Sequence, residues 1–149
     1  MIYLQRGLTF FNNAHYAKAE RDFSRAIELN PQDAAAWGYR ARARLDLGKS
    51  REALEDLNRA ITLDPREPKY VRLRGDVYAT SGDYDSALRE YDNALKLRPG
   101  DPVTLNNRGV VLANLGKTRE AVADLREAME IAASRPEQVT IPGITGNAW

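Results

Sequence analysis

Cysteine is absent from the 149 residues, and histidine occurs once, at His15. The first absence excludes disulfides, thiolate metal sites and a cysteine nucleophile. The second leaves any metal site or catalytic dyad without its partner, so His15 reads as a turn residue. No apolar run approaches the roughly 18 residues of a membrane-spanning helix. The opening Met1-Ile2-Tyr3-Leu4-Gln5-Arg6 has no basic segment leading into an apolar stretch. The chain therefore reads as soluble and without an export signal, a cytoplasmic place being favoured. Neither sign of charge dominates: 22 Lys plus Arg against 21 Asp plus Glu leave a net charge of +1. That balance gives no reason to expect a nucleic-acid or membrane partner. The motifs G-x-x-x-x-G-K-[ST], G-x-G-x-x-G and G-x-S-x-G are missing as well. No catalytic residue, metal ligand or cofactor is expected, and the chain reads as no enzyme by itself.

What is present is a period of 34 residues. Arg6-Gly7, Arg40-Ala41, Arg74-Gly75 and Arg108-Gly109 fall in register, as do Ala19, Ala53, Ala87 and Ala121. Phe23, Leu57, Tyr91 and Leu125 make another column, followed by Ala26, Ala60, Ala94 and Ala128, then by Pro31, Pro65 and Pro99. A fixed period of this length is the mark of a stacked array whose core lies between neighbouring units. Function in such an array is expected on an extended surface, not in a catalytic pocket.

Each unit reads as two helices. In the second, Ala34 to Leu47 has apolar residues at helical spacing, Gly48-Lys49 closes the helix, and Ser50 is placed to cap the next one. Glu52 and Glu55 suit the positive end of that helix, and Asp64-Pro65 ends it. The spacing predicts helices over 1–13, 17–29, 34–47, 51–63, 68–81, 85–97, 102–115 and 119–133. The units run over about 1–33, 34–67, 68–101 and 102–135, and residues 136–149 read as an extended or flexible tail.

The 34-residue pattern resembles the tetratricopeptide repeat, with Trp37, Gly75, Tyr78, Ala87, Tyr91, Ala94 and Pro99 at signature columns. The departures are arginine in a column where the family usually has leucine, Arg44 where an aromatic is common, and Ala133 in place of a fourth proline. The resemblance implies an all-α, right-handed α-solenoid of four helix-turn-helix repeats. It also implies a protein–protein interaction scaffold, whose first helices line a concave groove for an extended or helical peptide. By helical phase the inward residues are Leu4, Leu8, Phe11 and Asn12, then Gly38, Tyr39, Arg42, Leu45 and Asp46. Lys69, Arg72, Asp76 and Thr80 follow, and then Val103, Asn106, Asn107, Val110 and Asn114. Leu8, Phe11, Tyr39 and Val110 are the apolar candidates. Arg42, Lys69 and Arg72 are cations for an acidic group, Asp76 lies beside them, and Asn106 and Asn107 suit a peptide backbone. A peptide with an acidic group and an apolar anchor is the expected partner.

Some family members hold the carboxyl-terminal tails of heat-shock chaperones in a lysine–asparagine–asparagine–lysine–arginine clamp. The matching positions here are Leu4, Leu8, Tyr39, Lys69 and Leu73, or Gly38, Arg42, Leu73, Val103 and Asn107, and neither set reproduces it. Such a partner is not expected.

Asp22, Asp56, Glu90 and Asp124 follow the four arginines by sixteen residues in every unit, which predicts a repeated ion pair between helices of one unit or of adjacent units. The ends lack the polar outer faces that terminal units need. Either the chain is a piece of a longer array, or its ends are covered by a partner, by another copy in a homo-oligomer, or by the tail with Val139, Ile141, Ile144 and Trp149. A self-assembly module and a substrate-recruiting part of a larger enzyme or regulator stand as alternatives to the peptide-binding scaffold.

Overall fold

The computed structural model describes residues 2–134. Among them are eight helices and no strand: α1 (Ile2–Asn12), α2 (Tyr16–Leu29), α3 (Ala34–Asp46), α4 (Ser50–Leu63), α5 (Pro68–Thr80), α6 (Tyr84–Leu97), α7 (Pro102–Asn114) and α8 (Thr118–Ser134). The predicted helices are all present, within one or two residues at each end. The expected tail at 136–149 lies outside the described residues. The fold class is the all-α solenoid. Contacts divide the chain into two compact units, residues 1–77 and 78–149, the division falling inside α5.

The turn within each helix pair is set by one backbone device. Gly48, Gly82 and Gly116 take φ of 80°, 82° and 79°, the left-handed region that glycine reaches without a Cβ penalty. The following amide then reaches back across the turn, Lys49 to Arg44 at 2.8 Å, Asp83 to Tyr78 at 2.9 Å and Lys117 to Leu112 at 2.9 Å. In the first pair Ala14 takes the same role at φ 62°, with His15 donating to Phe10 at 2.8 Å. The register survives the loss of glycine because these bonds survive. Ser50 is not the cap: it is the first helical residue, and Lys49 occupies the N-cap position without a side-chain bond. Asp83 does cap its helix, accepting from the Ser86 amide at 3.2 Å.

The other end of each second helix is written by proline. Asn30, Asp64 and Arg98, just before Pro31, Pro65 and Pro99, all leave the helical region at φ near −140° and ψ near +80°, as a following proline ring requires.

The alanine columns explain the packing inside each pair. Ala19, Ala53, Ala60, Ala87, Ala94 and Ala128 are fully buried, and Phe23, Leu57 and Tyr91 fill the space between them. Small residues on the first helices let those large ones in. A Cβ on Gly7 would stand 2.6 Å from the Phe23 ring, and one on Gly109 would stand 2.9 Å from Leu125 Cγ. In the first unit, Ala41, Ala53, Leu57, Ala60, Tyr70, Leu73 and Val77 form one core cluster. In the second, Ala87, Tyr91 and Val111 form another.

Candidate binding surface and the arginine ladder

In three of the four rungs the arginine and acid columns meet as the spacing predicts. Arg6 donates from Nε and Nη2 to Asp22 at 2.8 and 2.9 Å, Arg40 to Asp56 at 2.9 and 2.7 Å, and Arg108 to Asp124 at 2.7 and 2.8 Å. These are two-pronged bonds between planar groups, the strong kind. The remaining nitrogen does something the columns did not announce. Nη1 reaches back sixteen residues to the second helix of the preceding pair: Arg40 to Ser24 at 3.1 Å, Arg74 to Asn58 at 3.0 Å and Arg108 to Asp92 at 3.0 Å. Arg40 and Arg108 thus each fasten their own helix pair and tie it to the preceding one. Arg74 belongs to the first unit and Glu90 to the second.

Arg44 extends the ladder sideways. It donates to Glu20 at 2.8 Å and to both Asp56 oxygens at 3.1 and 3.0 Å, while Lys49 Nζ reaches Glu20 at 3.0 Å. Burial alone would raise the Glu20 carboxyl, but hydrogen bonds from Arg44 and Lys49 outweigh it and hold the group below its usual range. The hydrogen bond to Asp124 above all, with that carboxylate's charge, lifts Arg108 well above the ordinary arginine value against the opposing effect of burial.

The candidate groove residues separate by unit. In the first, Leu8, Phe11 and Tyr39 are half-buried against Ala19, Phe23 and Ala43. Tyr39 lies on the Phe23 ring at 5.7 Å between centroids, and Phe11 tilts against Tyr16 at 5.2 Å. Lys69 Nζ stands 5.9 Å from the Tyr39 centroid and 5.7 Å from that of Tyr70, distances at which a ring face attracts a cation. Arg42 is exposed and pairs with Asp46 one turn along at 3.3 Å. Arg72 and Asp76 are half-buried on α5. Gly38, expected on the inward face, is instead covered, because a Cβ there would stand 2.5 Å from the Tyr70 ring. In the second unit, Asn106 is buried, Asn107 half-buried and Val110 48% exposed, all on α7. Among the described residues no group of three or more His, Cys, Asp or Glu side chains is placed to hold a metal ion. No helix among them is long and apolar enough to cross a membrane.

Paired helices repeated at a fixed interval, with a glycine-turned inner loop and alanine columns between them, define a repeat-type interaction scaffold. One tetratricopeptide repeat family model matches residues 4–68 and again 40–102, and a second matches 75–141. The chain belongs to the tetratricopeptide repeat family, and its class is the protein–protein interaction scaffold. No curated protein matches it. Among solved structures it is similar to MamA, at 22% identity and a TM-score of 0.76 over 91% of this chain and 79% of that one. A MamA segment from Desulfovibrio magneticus RS-1 is similar at 19% identity and 0.76, over 89% and 75%. A chain of the APC/C hetero-tetramer Cut9–Hcn1 is similar at 22% and 0.83, over 88% of this chain but 25% of its own length. At these identities the likeness is one of fold.

Proposed function

We propose that the first unit receives an extended peptide along the face made by α1, α3 and α5, and that the peptide carries an acidic group beside an apolar anchor. The observation that carries this reading is Lys69, 3.8 Å from Glu67, held over the ring of Tyr39, which packs on the same cluster as the half-buried Leu8 and Phe11. A cation pre-positioned on a helix loses little freedom when it meets a carboxylate, and an adjoining apolar shelf offers an anchor. Arg42 adds a second exposed cation on α3, and Arg72 and Asp76 on α5 set the polarity further along. In the second unit, taken by itself, the half-buried Asn107 and the exposed Val110 on α7 are the surface contacts, and the buried Asn106 lies beneath them.

A random-peptide display selection on the whole chain tests this. The expected consensus has one acidic residue and one large apolar residue. Lys69→Glu with Arg42→Glu should weaken the selected peptide at least about tenfold, since each cation becomes a repulsive charge. Undiminished binding to a double variant with an unchanged helical spectrum and melting temperature would remove the groove from these residues.

A further inference from the structure

In the second unit the outer face of α8 departs in its chemistry from the template set by the earlier second helices. Val122, Leu125, Arg126, Met129, Glu130 and Ala133 line a shallow depression of about 480 Å³ on α8, with Val122 45% and Met129 57% exposed. The interior copies of this face are each met by the first helix of the next pair, Arg74 reaching Asn58 on α4, and the copies on α2 and α6 show the same register along their length. In the first unit Trp37 packs with Ala26 and Ile27, Arg40 meets Ser24, Ala43 packs with Ala19 and Phe23, and Arg44 meets Glu20. In the second, Leu105 packs in one cluster with Leu95, Arg108 meets Asp92, Val111 packs with Tyr91, and Leu88 and Leu112 line one depression.

Shifting the template by the period gives the demands of α8. Met129 takes the place of Ile27 and Leu95, Leu125 that of Phe23 and Tyr91, and Val122 that of Glu20 and Leu88. The position that accepts the arginine of the following helix is Ser24, Asn58 and Asp92 in turn, but Arg126 in α8. A helix written like the chain's own first helices would set arginine against Arg126. A second copy docking through α1 would do this with Arg6, because Tyr3, Arg6, Thr9 and Phe10 hold the contact register there. Like charges so placed disfavour that partner and select the opposite sign.

We infer that the outer face of α8 docks an amphipathic helix of another protein that carries an acidic residue where every first helix of this chain carries arginine. The incoming helix has a large apolar residue at position i over Met129 and the acid at i+3 beside Arg126. A small residue at i+6 lies over Leu125, and an apolar one at i+7 lies over Val122. This is the helix-in-groove mode of recognition, with the anchors one and two turns apart.

The test is a displayed library of single helices, randomised at i, i+3, i+6 and i+7, selected on the whole chain. Asp or Glu should dominate at i+3 and bulky apolar residues at i and i+7. Arg126→Glu replaces a modest attraction with a repulsion, so binding should fall on the order of tenfold. Reselection on that variant should bring Arg or Lys to i+3, and Lys69→Glu should leave binding unchanged. No preference at i+3, retained binding to Met129→Lys, or loss with Lys69→Glu would each overturn the assignment. So would a wild-type chain whose mass doubles with concentration and returns to the monomer in Val122→Lys, since the occupant would then be a second copy. All three α8 positions are exposed, and far-UV circular dichroism checks that the variants fold.

Discussion

Asp56 is the residue on which the ladder converges, and Asp56→Ala is the perturbation that weighs it. Its carboxylate is 2% exposed and accepts four hydrogen bonds, two from Arg40 and two from Arg44, whose side chains are 14% and 18% exposed. Removing the acid leaves two guanidinium groups facing each other in a largely dry space. Losing one partner of a buried ion pair costs about 3–5 kcal/mol. Arg40 keeps Ser24 and Arg44 keeps Glu20, so the lower end applies, roughly 3 kcal/mol. For a chain of this length that corresponds to about 6–12 °C in melting temperature, measurable by circular dichroism and by urea unfolding. A loss of no more than about 1 kcal/mol, the scale of an exposed pair, would mean that the two guanidinium groups are not stranded without Asp56. Replacing Arg40, Arg44 and Asp56 together by Met, Leu and Leu should restore most of the stability, because the cost lies in stranded charge. A triple variant as unstable as Asp56→Ala would show instead that the ion pairs themselves supply the stability.

Other outcomes follow from single sites. Ala14→Gly relieves a left-handed residue with a Cβ at φ 62° and should stabilise by about 1 kcal/mol in urea unfolding, with no change in helical content. Gly38→Ala drives a Cβ toward the rigid Tyr70 ring; overpacking of about 1–3 kcal/mol exceeds the helix-propensity gain of up to about 1 kcal/mol, leaving a net loss in thermal unfolding. Burial, followed by the charges of Glu67 and Asp64, pushes the Tyr70 hydroxyl up to about 12 from 10.0. The folded state therefore keeps this proton where the unfolded state loses it. Its contribution is complete below pH 10.0 and disappears as pH rises toward about 12, so Tyr70→Phe should flatten the alkaline decline in unfolding free energy.

The period, the helix pairs and their ends were legible in the chain because each rests on local rules repeated at a fixed interval. Glycine past a helix end, a residue forced extended before proline, and alanines seven apart each act over a few positions, and four copies make the pattern plain. The pairing of Arg6, Arg40 and Arg108 with acids sixteen residues on was legible for the same reason, since both partners keep their chemistry in every unit. The backward contact was not, because Ser24, Asn58 and Asp92 share a position but no side-chain chemistry. Arg44 looked like a departure until Glu20 and Asp56 closed around it. Ser50 fitted a cap by residue type, yet the backbone entered the helix one residue earlier; Gly38 fitted an open face by phase, yet the Tyr70 ring fills the space above it. Sequence alone determined the one-dimensional order, the repeat, its family and the register of its helices. Tertiary structure decided which side chains share each interhelical space, because that depends on the distance and rotation between neighbouring helices, set by the sum of all their packed side chains.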